Sequence, residues 1–225
     1  MGIRPFVTDP ANIVGARIKA DRRDFGDEIA WNDHKIAYVI NVAQGKDVLD
    51  LGCVSHDPEN FRSRFWLHKA LVSRCRSVKG LDLSEAGARY LCDQGFDVDH
   101  GDAQNFQFDR QFDVIAAGDL IEHLEDFGGF LESCKRHLRP GGTLVISTPN
   151  PWYWRNVVKA ILYMEVPNNI EHTCWLCPRT LRQLVARHGL TVRNVSFGSR
   201  YLRDRLMPLP RGLKHTSWHA SVVLD

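Results

Sequence analysis

The chain has 225 residues, 44% of them hydrophobic and 25% charged, with 29 Lys and Arg against 27 Asp and Glu. That composition describes one globular domain with a full-sized core and excludes disordered, collagen-like and disulfide-built chains. No apolar run approaches the roughly 20 residues needed to cross a bilayer, the start MGIRPFVTDP does not read as a signal peptide, and the expectation is a cytoplasmic protein whose six cysteines are reduced thiols.

In chain order, Asp27 to Ala43 reads as an amphipathic helix with Ile29, Ile36, Ala37 and Ile40 on one stripe. Five β-rich runs follow: KDVLDLG, SVKGLDLS, FDVDHGD, FDVIAAGD and GGTLVISTPN. Between them, Phe61 to Cys75, Ser84 to Asp93 and Phe127 to Leu138 carry apolar residues at helical spacing, and Arg139-Pro140-Gly141-Gly142 stops the last of these. Strands alternating with helices predict an α/β fold, a doubly wound and mostly parallel sheet. After Asn150 come an aromatic helix (Pro151 to Met164), a loop, a helix from Pro178 to Gly189, and two β runs, Leu190 to Ser196 and Ser217 to Leu224, joined through Pro208, Pro210 and Gly212 as a long hairpin. Charge is uneven: residues 151 to 225 hold 11 Lys and Arg against 4 Asp and Glu, leaving 18 against 23 before them. A basic surface of this kind suits an anionic or polar acceptor.

Ligands of such sheets bind beyond the carboxyl ends of the strands, where glycine admits backbone amides and an acidic residue ending the second strand receives ribose hydroxyls. The sequence places Asp50-Leu51-Gly52, Asp82, Asp102-Ala103 and Asp119 at four successive strand ends. Asp82 lies 30 positions after Gly52, against about 20 in dinucleotide enzymes, and the loop between them offers no glycine cradle for a pyrophosphate.

VLDLGC, VKGLDLSE, GDAQNF, FDVIAAGDLIEHL and LRPGGTLVISTPN together resemble the successive motifs of class I S-adenosylmethionine-dependent methyltransferases, over about residues 46 to 150 and in the right order. The resemblance implies a Rossmann-like seven-stranded sheet with an antiparallel last strand. It also implies an enzyme in one domain, residues 1–225, with residues 1–45 as a helical cover and 151–177 as an acceptor-side insertion. By the same resemblance S-adenosylmethionine is the cofactor: Asp50, Gly52 and Cys53 line its methionine part, Asp82 and Leu83 the ribose, Asp102 and Ala103 the adenine, with Asp119 bordering the cleft. The family usually has glycine where this chain has Val54 and His56.

For the acceptor side the expected residues are Asp119, Glu122, His123 and His172. If Asp119 opens a helix, Glu122 and His123 share its face, and two carboxylates with histidines suit Mg²⁺, Mn²⁺ or Zn²⁺. The competing reading of Asp119 and Glu122 is a capping box, and that of His123, His172 and Asp119 is a general-base group without metal. The segment resembles acidic-x-x-Glu-His in ubiquinone-biosynthesis O-methyltransferases, which also share a hydrophobic-basic insertion, here PNPWYWRNVVKAILYMEVPNNIEHT. It is similar as well to the metal-binding segment of small-RNA 2′-O-methyltransferases. DLGCVSH, WLHKAL and IEHTCW resemble methyltransferases of glycan clusters, so the expected acceptor is a sugar, glycan or other small polar hydroxyl. The alternatives are a metal-dependent RNA 2′-O-methyltransferase and a non-catalytic S-adenosylmethionine-binding module. Nucleic acid is not expected as a partner, because the cations are not interleaved with stacking aromatics outside Trp152 to Trp154. Residues 151–166 read as an acceptor lid, a membrane-surface helix or a stripe packed on its own domain, Trp31 and His34 are expected to face the acceptor, and Cys174 with Cys177 lacks the second pair that a zinc finger needs.

Overall fold

The structure, a computed structural model, describes residues 29–56, 58–164, 169–198 and 201–224; the side chains of residues 29–34, 205 and 211 are outside that description. The expectation for Ile29, Trp31 and His34 therefore falls outside the described side chains. The elements in order are α1 (Ile29–Ala43), β1 (Asp47–Leu51), α2 (Leu67–Val72), β2 (Ser77–Asp82), α3 (Glu85–Asp93), β3 (Val98–His100), β4 (Phe112–Gly118), α4 (Phe127–His137), β5 (Leu138–Pro149), α5 (Trp154–Tyr163), α6 (Pro178–Ala186), β6 (Leu190–Phe197), α7 (Leu202–Arg205), α8 (Arg211–Lys214) and β7 (Ser217–Leu224). The seven strands form one sheet in the order β3-β2-β1-β4-β5-β7-β6. All pairs are parallel except those of β7, which runs antiparallel to both β5 and β6.

The central strands are apolar throughout because both faces are covered. In β4, Val114 and Ala116 pack with Val48, Val145 and the α1 residues Ile36, Val39 and Ile40. The alternate residues Ile115 and Ala117 join Phe130, Leu131, Leu181 and Val185 on the other face. The stripe expected on the first helix is thus correct for Ile36 and Ile40, but Ala37 is exposed.

Three local expectations change. Phe61 to Cys75 is a 3-10 turn (Pro58–Arg62) and then α2, separated by extended Trp66, because Trp66 is drawn inward to donate from Nε1 to the Cys53 carbonyl at 2.6 Å. Asp119 does not open an α-helix: it sits at φ 54, followed by a 3-10 turn at Ile121–His123 whose N-cap is Leu120. The helix beyond is started instead by Asp126, whose carboxylate accepts from Gly129 N at 2.8 Å, so the capping box between Asp119 and Glu122 does not form. The long β6–β7 hairpin is present, with α7 and α8 in its connection.

Candidate active site

In this strand order the winding reverses between β1 and β4, and their carboxyl ends open the crevice where such sheets bind ligands. Gly52 leaves β1 at φ 75, and a Cβ there would lie 3.2 Å from Leu120 Cδ1, so only glycine fits without strain. Ser55 and His56 also adopt left-handed backbone, at φ 58 and 63. The chain thus keeps the turn that glycine would supply, at a cost of about 1–2 kcal/mol per residue.

Several side chains hold this strained loop. Asp82 accepts from Val54 N at 2.8 Å through Oδ2 and from Ser84 N at 2.9 Å through Oδ1. Asp50, 2% exposed, lies with Oδ2 2.9 Å from Nδ1 of His68, which is wholly buried, and His68 Nε2 has no hydrogen-bond partner. Cys53 is buried in a core cluster with Trp66, Ala88 and Leu91, and burial pushes its thiol pKa up. Asp102 holds its own turn by accepting from Gln104 N at 2.8 Å, Ala103 is buried beside it, and Leu83 is 71% exposed past the end of β2. An exposed leucine next to a strand-end carboxylate, a positive-φ glycine and a small residue beyond β3 thus stand at the carboxyl ends of neighbouring strands, the side of such sheets where ligands bind. Replacing Asp82 by Ala is expected to weaken S-adenosylmethionine binding by about 1–3 kcal/mol, measured by titration calorimetry. Unchanged affinity would leave Asp82 only its loop-tethering role.

Asp119 and Glu122 part company. Asp119 Oδ2 is 2.9 Å from Lys35 Nζ, while Oδ1 accepts from Ser147 Oγ at 2.8 Å. Burial resists both charges, yet each holds the other: the Lys35 pKa stands above its ordinary value and that of Asp119 below. Glu122 is 2% exposed and neither carboxyl oxygen has a partner in good hydrogen-bond geometry, the nearby Thr148 hydroxyl only partly opposing the effect of burial. Burial first, and then the Asp119 charge, raise its pKa to about 8.

Glu122, His123 and His172 bring ligand atoms within 4.8 Å of one another. The rings of His123 and His172 meet edge to face at 4.6 Å, and His172 Nδ1 is buried without a partner. Burial, and then His123, lower the His172 pKa to about 4; burial, and then His56, lower that of His123. His172 is brought there by the stretch before α6, where Thr173 N donates to the Glu122 carbonyl at 2.8 Å and Thr173 Oγ1 to that of Leu124 at 2.6 Å. Three unprotonated or orphaned donors facing one point fit a divalent cation. Asp119, committed to Lys35 and Ser147, stands outside that group.

Sequence reasoning missed Lys35, Ser147 and His56. His56 reaches from the cofactor loop to within 5.6 Å of the His123 ring centroid and places Nδ1 3.4 Å from Glu171 Oε2. For Lys35 a signal was present, a cation on the edge of the α1 apolar stripe. Cys177 serves as the N-cap residue of α6.

The methyltransferase domain family matches residues 30–195. A probable S-adenosylmethionine-dependent methyltransferase of Mycolicibacterium smegmatis is 32% identical over 166 residues, covering 72% of this chain and 59% of its own. A ubiquinone biosynthesis O-methyltransferase of Pseudomonas entomophila is 28% identical over 130 residues, 54% of this chain and 50% of the relative. The chain therefore spans between half and three-fifths of the length of these curated relatives. Among solved structures, an S-adenosylmethionine-dependent methyltransferase from Clostridium acetobutylicum aligns with a TM-score of 0.62 at 15% identity, over 95% of this chain and 98% of that one. A glycopeptide N-methyltransferase complexed with sinefungin aligns with a TM-score of 0.60 at 16% identity, over 88% and 90%. These two likenesses concern the fold.

Proposed function

The chain belongs to the S-adenosylmethionine-dependent methyltransferases, and from that premise we propose that it methylates a hydroxyl oxygen of a sugar, glycan or other small polar acceptor. The observation that carries this reading is the cluster of Glu122, His123 and His172 at the carboxyl edge of β4. A hydroxyl must lose a proton as its oxygen attacks, and a group placed to accept or displace that proton meets this need. When bound, the sulfonium cofactor supplies an electrophilic methyl carbon whose bond to sulfur breaks as the acceptor oxygen attacks in line, leaving the electron pair on sulfur.

The chain's own contribution is positioning and proton control. Gly52 and Asp82 shape the cofactor side. Lys35 and Ser147 fix the Asp119 carboxylate at the mouth of β4. His123 and His172 have lowered pKa values, so both are unprotonated at neutral pH and able to take the hydroxyl proton. A divalent cation held by Glu122, His123 and His172 would lower the acceptor hydroxyl's pKa. Two imidazoles with one carboxylate suit Zn²⁺ or Mn²⁺ better than Mg²⁺, which prefers an all-oxygen shell. The ubiquinone biosynthesis O-methyltransferase name of several relatives agrees in reaction type with this reading.

Calorimetric titration with S-adenosylmethionine and S-adenosylhomocysteine, followed by a tritiated-methyl assay over glycans, catechols and RNA ends, tests it. Ether formation on a glycan or small hydroxyl is expected. Label confined to amines would overturn the proposal, and label confined to RNA 2′-hydroxyls would replace the acceptor class.

A further inference from the structure

No helix among the described residues is long and apolar enough to cross a membrane, yet one face of the molecule is strongly apolar. Helix α5 has no buried residue. In and beside it Trp152, Val158, Ile161, Leu162, Tyr163 and Met164 are exposed, four of them by 66% or more. Leu202 and Leu206, in and just after α7, are exposed by 68% and 90%. Isolated exposed leucines need no explanation, but so many on two coupled segments do.

The two segments are locked together at their bases. Asp204, wholly buried, accepts from Tyr153 Oη at 2.6 Å and Trp154 Nε1 at 3.1 Å. Asn150 Nδ2 donates to the Gly212 and His215 carbonyls at 2.6 and 2.7 Å. The platform is therefore anchored while its apolar side chains stand outward. Between Trp152 and α5 an apolar notch is lined by Pro151, Val157, Ala160 and Ile161.

Charge selects the occupant. Residues 151–164 and 201–214 contain Lys159, Arg203 and Lys214, with Arg205 and Arg211, whose side chains are outside the description, and Arg155, which stands 4.0 Å from their one carboxylate, the buried Asp204. A second copy of this chain would bring like charges together, and a nucleic acid could stack on Trp152 and Tyr163 but would leave Ile161, Leu162, Met164, Leu202 and Leu206 without an apolar partner. A negatively charged bilayer surface satisfies both features, receiving apolar side chains at the acyl boundary and cations among the headgroups. We propose that α5 and the α7 segment form a docking face for anionic membrane surfaces.

Helix α5 follows β5, and α7 follows β6, which runs parallel to β5 through their common antiparallel partner β7. The face therefore lies at the same carboxyl edge of the sheet as Asp119 and Glu122. Resting on the proposed function, the acceptor hydroxyl then belongs to a lipid headgroup or lipid-linked glycan presented from the bilayer.

Co-sedimentation with phosphatidylcholine vesicles, with and without about one-quarter phosphatidylglycerol, tests docking without reference to methyl transfer. Anionic vesicles are expected to pellet the protein and neutral ones much less, with binding reduced at about 0.5 M salt. The double variant Ile161→Asp with Leu162→Asp is expected to bind at least about tenfold less tightly. Circular dichroism and S-adenosylmethionine affinity should be unchanged, since neither side chain is buried. Equal sedimentation of variant and parent, or none with anionic vesicles, would overturn the proposal. So would a parent that light scattering shows to be a dimer and a variant that is a monomer, for a second copy would then be the occupant. Docking with no labelled lipid-linked acceptor would remove the substrate clause alone.

Discussion

Substituting His123 or His172 by Ala is expected to lower kcat for hydroxyl methylation by about 10²–10⁴-fold while leaving S-adenosylmethionine affinity nearly unchanged. The asymmetry follows from position. Both rings belong to the group completed by Glu122, on the turn after β4 and on the stretch before α6, whereas Gly52, Asp82 and Asp102, the residues proposed for the cofactor, lie at the ends of β1, β2 and β3. Both histidines have pKa values below the ordinary range, His172 at about 4, so each offers a lone pair rather than a proton at neutral pH. A lone pair serves equally as base and as ligand, and chelation separates the two. Loss of activity with chelator, restored by Zn²⁺ or Mn²⁺, assigns the effect to a bound cation. Indifference to chelator with both variants inactive assigns it to general-base catalysis. Full activity in both variants would show that the cluster takes no part and that positioning alone sustains the reaction.

The parts legible in the sequence were those with a local signature. Runs such as VIAA in β4 announce a strand buried on both faces, and a Gly or Asp at the end of each run marks where the chain leaves the sheet. Hence Asp50, Gly52, Asp82 and Asp102 were placed correctly at strand ends, and the motif order supplied the antiparallel β7. The acceptor side was legible in composition but not in pairing. Asp119 and Glu122 read alike as carboxylates three apart, yet one is paired with Lys35, 84 residues away, and the other has no ion pair among the described residues. No local pattern distinguishes them, because what separates them is the packing of α1 across β4. The left-handed backbone at His56 was hidden for a related reason. Glycine advertises that conformation, whereas here it is imposed on ordinary residues by remote tethers, Trp66 on the Cys53 carbonyl and Asp82 on Val54 N. The break between the Pro58–Arg62 turn and α2 has the same origin.

In metal-free protein, Glu122→Gln is expected to abolish a fall in stability that the parent shows as pH rises toward 8. The Glu122 pKa is raised to about 8 in the folded state from an ordinary 4.5. Between those values the native state holds a proton that the unfolded chain has released, so stability declines with rising pH and the contribution is lost by the time the folded carboxyl ionises. The full excursion is on the order of 3–5 kcal/mol. His172 acts in the opposite sense: its folded pKa of about 4 lies below the ordinary 6.5, so its contribution is complete above 6.5 and is lost as pH falls toward 4. His123, also lowered, adds to the His172 effect in that lower window, so from pH 6.5 to 8 the Glu122 slope is free of both histidines. Thermal unfolding monitored by circular dichroism, in chelator and at several pH values, should show that slope in the parent and a flat profile in the glutamine variant. Gln is the neutral isostere of the protonated carboxyl, so the variant should match the parent only below about pH 4.5, exceed it already at pH 6.5, and exceed it by more at pH 8. A divalent cation added at pH 8 should raise the stability of the parent and not of the variant, since the cation satisfies an ionised carboxylate that is otherwise buried without a partner. An identical slope in parent and variant would show that Glu122 is ionised throughout, and with it that the orphaned carboxyl is not the group that prepares this site for a cation.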